Sequence, residues 1–444
     1  MEAYQVAKRL RALAHDHSVP GAQVTVHRAG ESLSVVTGVT RSGSADPVTT
    51  GTAFAFGSVT KALTATVVAQ LASEGDLDLD DPVGEYLAEF DGATDKAISS
   101  ITLRNLLSHT AGLVADYELD NVNEASLARY AASVAATGSL HEPGSCFSYS
   151  NSGYNILGRV IESVTGMKYQ AVMENFLLRP LGIDPLFLSG AASAARTLGT
   201  CHVVQPGQRT ARPVGLFLPA SWAPASGLAG SAEDLIAFAR LHLGTHSGSG
   251  ALLDEKQRTE MCARVPAADA FGMADGWCLG LARYGSSDGD WLGHDGTVDG
   301  GTAHLRFHQQ SGTAVALTTN ATTGTLMWAD LVDALHELGV PVGDYRPHVP
   351  ATAAVSDADR FVGDYRNGDT YFSVRGHDNG SRLRLSDGAG LIADMTLHDE
   401  LVFTARRVDA DEAPYTGRFV PDPSTGRAAL MQLGGRSARL ATAA

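Results

Sequence analysis

A serine and a lysine three residues apart are the first side chains in the sequence that could do chemistry. Ser58 and Lys61 lie in FGSVTK and would share one face of the first turn of a helix that begins at Ser58. A serine hydroxyl becomes a nucleophile when a base removes its proton, and a lysine whose pKa is lowered by desolvation can be that base. Because serine also favours the N-terminal cap of a helix, the pair indicates either an activated nucleophile or a cap.

Two further segments carry groups able to transfer protons. Tyr149 and Asn151 lie in SYSNSGY, where the phenol could shuttle protons and the amide could bind a substrate carbonyl or hold the lysine. His294 lies in GHDGTVDGG, whose glycines would let the backbone approach a ligand closely. Each segment also has an ordinary explanation, since Ser150 or Asn151 could cap a helix and a histidine between glycines could be a turn residue.

The order and spacing of these segments resemble the serine β-lactamase and penicillin-binding-protein superfamily. The nearest branch contains the class C β-lactamases, D,D-carboxypeptidases and related esterases. Three other blocks agree with the resemblance, namely LDLDDPV at 77–83, LLSHTAGL at 106–113 and PASGLAGSAEDL at 224–235. The resemblance covers about residues 5–340.

The resemblance implies a role for each candidate residue. Ser58 would be the acylated nucleophile, Lys61 its base and Tyr149 the second proton-transfer residue. Asn151 would contact a substrate amide. His294 stands where many relatives have the lysine of a KTG motif, so it would polarise the site or contact the substrate.

The same resemblance places an oxyanion hole beside the serine. It would use the amide of Ser58 and an amide near Thr297 or Val298, and Gly296 and Thr297 would bind the substrate. The departure from KTG at His294 disfavours a true β-lactamase. It favours the esterase, peptidase and transacylase branches.

Periodicity predicts the elements that position these residues. An amphipathic helix is predicted within 1–20, with Tyr4, Val6, Ala7, Leu10 and Leu13 on its apolar face. Strand-like runs occupy 21–27, 32–38, 277–284, 302–308 and 313–319, and helical patterns occupy 58–75, 104–107, 125–136, 152–165, 170–178 and 232–243. Sheet at both ends with helices between them indicates an α+β domain. The resemblance implies an antiparallel sheet flanked by helices, plus a helical subdomain.

The C-terminal part of the chain reads differently. Short alternating runs at 371–375, 382–385, 391–397, 400–405, 417–420 and 428–433 predict an all-β barrel or sandwich. We therefore predict a catalytic domain at 1–345, a linker at 346–358 and a β domain at 359–444. Gly434 and Gly435 precede Arg436, whose planar cation suits a carboxylate or carbonyl. Arg436 is assigned to substrate binding, and the alternative is a surface arginine on a tail.

Composition excludes several classes of protein. The 444 residues are 44% hydrophobic and 18% charged, which is enough for a large core. A net charge of −16 argues against nucleic acid and anionic membranes as partners. The four cysteines are far apart and show no CxxC pairing, so they fit buried thiols, although one disulfide stays open. The first twenty residues lack the apolar stretch of a signal peptide, which favours a cytoplasmic location.

Two apparent metal motifs fail on inspection. Asp76, Asp78 and Asp80 imitate the start of a calcium loop, but glutamate is missing at the twelfth position. His304 and His308 have zinc-like spacing only on a helix, and they alternate with apolar residues as in a strand. We predict no metal and no cofactor.

The two-part layout is similar to penicillin-binding-protein-type thioesterases, which carry a lipocalin-like barrel after the catalytic domain. These enzymes take a non-ribosomal peptide from a carrier-protein thioester and close it head to tail, with a D-residue at the acyl end. A peptide cyclase that works with a peptidyl carrier protein is therefore expected. D-stereospecific aminopeptidases and esterases share the layout, so a hydrolase, another transacylase or a non-catalytic binding protein are the alternatives.

Overall fold

A seven-stranded sheet with helices on both faces forms the first part of the chain, and a closed barrel forms the second. The computed structural model describes residues 2–91, 93, 95–120, 126–189, 196–351, 358–377, 382–409 and 414–441. This arrangement confirms the predicted β-lactamase/transpeptidase-like α+β fold with a small barrel after it. The domain limits at 345 and 359 stay a prediction, and residues 352–357 of the predicted linker lie outside the described residues.

The helices of the first part are mostly short. They are α1 Ala3–Asp16, α2 Thr60–Glu74, α3 Lys96–Ser99, α4 Leu103–Leu107, α5 Leu127–Ala135, α6 Asn151–Thr165, α7 Tyr169–Val172, α8 Ala223–Ser226, α9 Ala232–His242, α10 Ser249–Leu252, α11 Glu255–Cys262 and α12 Gly324–Glu337. Helix α2 is buried on all sides from Thr60 to Leu71. A helix that is buried on all sides lies within a core, so the start of α2 is a rigid place for Ser58 and Lys61.

The strands of the first part are β1 Gly21–Arg28, β2 Glu31–Gly38, β3 Phe54–Ala55, β4 His202–Val204, β5 Ala211–Pro213, β6 Ala229–Gly230, β7 Gly276–Trp277, β8 Ala282–Tyr284, β9 Trp291–Val298, β10 Gly301–His308 and β11 Thr313–Thr319. The main sheet has the order β2-β1-β11-β10-β9-β8-β7, with antiparallel pairing throughout. The pairs β3–β6 and β4–β5 lie outside it. Helices α1 and α12 pack on one face of the main sheet, and α2 and α9 pack on the other.

Three local predictions were wrong. The α-helix begins at Thr60, because Gly57–Val59 forms a 3₁₀ turn, and no hydrogen bond makes Ser58 a cap. The run 277–284 is two short strands separated by a turn at Gly280, where any Cβ would lie 2.2 Å from that of Ala65 in α2. Tyr4 is 75% exposed, whereas Val6 and Leu10 are buried as predicted.

The segment around His294 is a strand, not a turn. Sequence reasoning placed a strand only after it, because glycines usually weaken strands. Here they are required by close contacts: a Cβ at Gly293 would lie 1.8 Å from the carbonyl oxygen of Leu305 in β10. A Cβ at Gly296 would lie 1.9 Å from the carbonyl oxygen of Phe56.

Eight antiparallel strands close the C-terminal barrel. They are β12 Gly363–Asn367, β13 Thr370–His377, β14 Arg382–Asp387, β15 Ile392–Leu397, β16 Val402–Arg407, β17 Tyr415–Pro421, β18 Ala428–Leu433 and β19 Arg436–Leu440. Strands β12 and β19 were not predicted, and they pair with each other to close the barrel. The barrel thus has the lipocalin-like form that the resemblance implied.

The barrel docks on the segment that carries Tyr149. The backbone N–H of Tyr149 donates to the Gly435 carbonyl at 2.9 Å, and Gln432 donates its side-chain amide to the Phe147 carbonyl at 2.8 Å. The Ser437 N–H donates to the Ser148 hydroxyl at 3.1 Å. The β18–β19 hairpin therefore fixes the backbone on both sides of Tyr149.

All four cysteines are free in the structure, and three of them are buried. Among the described residues, no helix combines the length and the apolar character that crossing a membrane requires.

Candidate active site

Ser58 and Lys61 lie within hydrogen-bond distance of each other. The Nζ of Lys61 is 2.9 Å from the Oγ of Ser58 and donates to the carbonyl of Ala225 at 2.9 Å. Ala225 belongs to the block 224–235 that supported the family resemblance, so this block supplies a ligand to the lysine. The glycine before the serine has a φ of 52° and lies against Thr297, which makes the turn at Ser58 tight.

Lys61 is buried, as the base role predicted from the sequence requires. Its side chain is fully buried, with Nζ 5.0 Å from the ring centre of Tyr149 and 5.7 Å from that of Tyr154. Burial lowers the pKa of Lys61 well below its ordinary value, although the negative charge of Asp116 partly opposes this. A neutral Nζ can accept the serine proton while it still donates to Ala225.

Tyr149 is a neutral phenol beside the serine. Burial raises its pKa, and the Ser58 hydroxyl only partly offsets this. His109 positions the segment that carries Tyr149. Its Nδ1 accepts a hydrogen bond from the Ser150 N–H at 3.0 Å, and its ring centre is 4.3 Å from that of Tyr149. Ser150 caps α6 by accepting a hydrogen bond from the Gly153 N–H, which confirms that this segment caps a helix.

A carboxylate that the sequence did not reveal links two predicted residues. Asp116 accepts a hydrogen bond from the Asn151 side chain at 2.6 Å and pairs with Arg436 at 2.8 Å. The Oδ1 of Asn151 is buried and has no partner among the described groups. Arg436 thus lies at the cleft instead of on a free tail, and Asn151 keeps an oxygen for a ligand.

Strand β9 presents both a side chain and an open edge to the serine. Strand β8 pairs with β9 only at Trp291, Leu292 and Gly293, so among the described strands none covers that edge from His294 onward. Gly296 lies against the Ser58 turn, since a Cβ on it would be 3.0 Å from the Ser58 nitrogen. An exposed strand edge beside a nucleophile can pair with the backbone of an extended peptide.

His294 is buried and neutral. Its Nδ1 donates to the carbonyl oxygen of Asp295 at 2.6 Å, and burial lowers its pKa to about 3. Below it, Asp295 receives two hydrogen bonds from Arg306, at 2.8 and 2.9 Å. This pair and the Trp277 ring, 5.3 Å from that of His294, hold the imidazole in place.

Several of these groups line one cleft of about 820 Å³, whereas the predicted residues Lys61 and Gly296 are buried and do not line it. The predicted residues on its surface are Ser58, Tyr149, Asn151, His294, Thr297 and Arg436. An apolar wall is formed by Leu216, Phe217, Leu218, Pro219 and Trp222. The barrel contributes Gly434 and Arg436, so the cleft is built by both parts of the chain. A volume of this size suits a ligand as large as a short peptide.

Sequence reasoning missed several parts of this site. Asp116, Trp277 and the wall at 216–222 carry no motif, because they reach the cleft through tertiary folding alone. His109 was visible only as part of the block LLSHTAGL.

Comparison with known proteins identifies the family. A sequence model described as beta-lactamase matches residues 6–338, which is well over half of the chain. The chain belongs to the beta-lactamase family. Penicillin-binding protein 4 of Amycolatopsis lactamdurans is a relative, with 33% identity over 353 residues that cover 78% of this chain and 92% of the relative.

Solved structures extend the likeness to the whole chain. The crystal structure of SurE is 40% identical, covers 99% of both chains and superposes with a TM-score of 0.90. A second SurE structure, with D-Leu, superposes with a TM-score of 0.88. A class C beta-lactamase from Rhodobacter sphaeroides is 20% identical, covers 75% of this chain and 99% of its own, and has a TM-score of 0.62. The last shows the fold alone, whereas SurE matches both parts of this chain.

The geometry predicts that Ser58 is the residue acylated by a serine-directed reagent. Incubation with a fluorophosphonate or a β-lactam is expected to add one adduct mass to the intact protein. Ser58→Ala should show no adduct, because Lys61 activates only the hydroxyl next to it. Intact-mass spectrometry measures this, with Ser221→Ala as a control for another cleft serine. An equal adduct on Ser58→Ala would remove Ser58 from the nucleophile role.

Proposed function

We propose that the protein is a serine acyltransferase that releases a linear non-ribosomal peptide from a carrier protein by closing it head to tail. The Oγ of Ser58 attacks the thioester carbonyl, and the thiol of the peptidyl carrier protein leaves. The N-terminal amine of the same peptide then attacks the ester, and Ser58 is regenerated. The observation that carries the proposal is a cleft shared between the catalytic domain and the barrel, in a chain that matches SurE along its whole length.

Acylation follows from the groups around Ser58. Neutral Lys61 takes the serine proton as Oγ forms its bond to the acyl carbon. The backbone amides of Ser58 and Thr297 are the candidate donors to the oxyanion, because the Gly57 and Gly296 contacts bring β9 against the serine turn. The proton that Lys61 took from Ser58 can then pass to the leaving thiolate through the phenol of Tyr149, which gives one proton as it receives another and so stays neutral.

Deacylation decides between a cyclic product and a linear acid. Water competes with the amine for the same ester, so the amine must be held close to it. Intramolecular reactions with good geometry reach effective molarities of about 10⁵–10⁸ M, which is enough for the amine to win. The apolar wall at 216–222 and the barrel hairpin limit access of water and favour a folded peptide in the cleft.

Two polar groups are proposed to recognise the acyl residue. The unpartnered Oδ1 of Asn151 can accept a hydrogen bond from its amide N–H, and Arg436 can donate to the carbonyl of the residue before it. Asp116 holds both side chains from one side, which fixes their relative position. The D configuration of that residue is supported by SurE, which is 40% identical to this chain and has a structure with D-Leu.

The test uses synthetic peptidyl thioesters that differ only in the configuration of the C-terminal residue. We expect a product lighter by one water than the hydrolysed acid, formed mainly from the D-substrate, because only that isomer places its carbonyl at Ser58. Liquid chromatography with mass spectrometry separates the cyclic and linear products. Ser58→Ala is the control for background hydrolysis. Linear acid alone from both isomers, with rapid turnover of D-aminoacyl amides or simple esters, would replace the cyclase with a D-aminopeptidase or esterase.

A further inference from the structure

His294 offers a hydrogen-bond acceptor to the cleft. Its Nδ1 lies 2.6 Å from the carbonyl oxygen of Asp295. A carbonyl oxygen can only accept, so Nδ1 carries the ring hydrogen. The Nε2 of a neutral imidazole in this tautomer keeps its lone pair and cannot donate. Burial holds the ring in this neutral form, since it lowers the pKa of His294 to about 3.

The Nε2 acceptor is built into the site but has no partner. His294 is 2% exposed, it lines the cleft, and its Nε2 has no hydrogen-bond partner among the described groups. A buried acceptor without a partner is unfavourable, so a ligand that donates a hydrogen bond there gains affinity. The ring cannot turn to offer a donor without breaking the Nδ1 bond to Asp295.

The charges around the cleft favour the same kind of ligand. Glu118 and Asp299 line it, Asp295 is a lining carboxylate already paired with Arg306, and Arg436 is the one arginine or lysine among the described lining residues. Arg436 is paired with Asp116 at 2.8 Å, which reduces its effect. A ligand carboxylate near His294 would therefore meet negative charge and a nitrogen that cannot donate to it.

From this arrangement we infer that the cleft selects an acceptor amine without a neighbouring carboxylate, and that the Nε2 of His294 accepts a hydrogen bond from that amine. The inference rests on the proposed function, in which the acyl group of Ser58 passes to an amine. The N-terminal amine of a peptide fits, because the carboxyl group of its residue is in a peptide bond. A free amino acid does not fit, since its carboxylate lies next to its amine.

The transfer needs no further reactant. The amine nitrogen bonds to the acyl carbon, the bond from that carbon to the Oγ of Ser58 breaks, and the proton lost by the amine ends on Oγ. His294 orients the amine through one N–H while the nitrogen lone pair points at the acyl carbon.

The test compares two acceptors on one acyl-enzyme. An N-acyl-D-leucine thioester acylates Ser58 in the presence of D-alaninamide or D-alanine, at equal concentrations of neutral amine. The ratio of aminolysis to hydrolysis products is measured by mass spectrometry. We expect the parent enzyme to favour D-alaninamide by about tenfold or more, because D-alanine brings a carboxylate to an acidic site. This ratio does not depend on the acylation rate or on the fraction of enzyme that is folded.

Three variants separate the role of the acceptor from general effects. His294→Lys replaces the acceptor by an ammonium donor and is expected to remove or reverse the preference. His294→Gln keeps an acceptor oxygen and should retain it. Asp288→Asn removes a charge from an exposed loop outside the cleft and should leave the ratio unchanged.

Equal use of the two acceptors by the parent, an unchanged preference in His294→Lys, or failure of both acceptors would each overturn the inference. The proposed function is judged separately, by cyclic product from a full-length peptidyl thioester. An enzyme that cyclises the peptide but uses D-alanine as well as D-alaninamide would keep the proposed function and refute this inference.

Discussion

Replacing Lys61 with arginine is expected to slow acylation of Ser58 by about 10²–10⁴-fold, at least as much as replacing it with alanine. Lys61 is fully buried, and burial lowers its pKa well below the ordinary value of 10.5, so we expect it to be neutral in the parent enzyme. An arginine stays protonated and cannot accept the serine proton. The acylation rate is measured by quenched-flow mass spectrometry of the acyl-enzyme.

The pH dependence of acylation gives a second readout of the same base. Because only neutral Lys61 accepts a proton, the rate should rise with pH along a limb below 10.5 and then level off. This limb should be absent from Lys61→Ala. Lys168→Arg is a matched control, since Lys168 has a side chain that is 82% exposed, and it should leave both rate and limb unchanged. Near-normal acylation by Lys61→Arg would exclude Lys61 as the base.

The sequence predicted which residues meet at the site better than it predicted the contacts that hold them there. Ser58 and Lys61 could be paired because they are three residues apart, a separation that any helical turn converts into contact. Tyr149 and His294 could be joined to them only through the family resemblance, since no local rule brings residues so far apart together. The structure places all four at one cleft.

Contacts that depend on tertiary packing had no sequence signal. Asp116 is a single carboxylate in an irregular segment, and its importance comes from the meeting of α6 with the barrel hairpin. Strand β9 was hidden because its glycines weaken the strand pattern, although Gly293 and Gly296 are there to let Leu305 and Phe56 approach. The strand pattern of β10 could be predicted from the sequence. The partners of its buried Arg306 could not, because they lie on other elements.

Arg306 is the centre of a buried ionic network behind the site. Its side chain is fully buried and donates two hydrogen bonds to Asp295 and one to Asp344, at 2.6 Å for the latter. The guanidinium carbon lies 3.4 Å from the ring centre of Tyr284. His304 adds a hydrogen bond to Asp295 at 2.7 Å. The network joins β8, β9, β10 and the segment after α12 around a single cation.

Replacing Arg306 with methionine is expected to lower the free energy of unfolding by about 3 kcal/mol. Methionine has a similar volume but leaves Asp295 and Asp344 without their counter-charge. The expected loss lies at the low end for a buried pair, because the side chains of these aspartates keep 40% and 21% of their exposure. Urea unfolding followed by tryptophan fluorescence measures the change. Trp328 lies next to Arg306 in the network, and Trp291 lies in β9.

The pH dependence distinguishes this mechanism from a simple packing defect. Arg306 lowers the pKa of Asp295 in the folded parent, so its stabilisation is complete above the ordinary carboxyl pKa and is lost only as the pH falls through the lower folded value. In Arg306→Met the Asp295 carboxyl should lose this lowering of its pKa and become protonated at a higher pH than in the parent. The stability difference between parent and variant should therefore be largest near pH 7 and shrink toward about pH 4. Arg346→Met is the matched control, because Arg346 and Asp333 form an exposed pair that contributes at most about 1 kcal/mol. A loss for Arg306→Met that matches this control, or one that does not change with pH, would show that the guanidinium is not what holds the two aspartates in place.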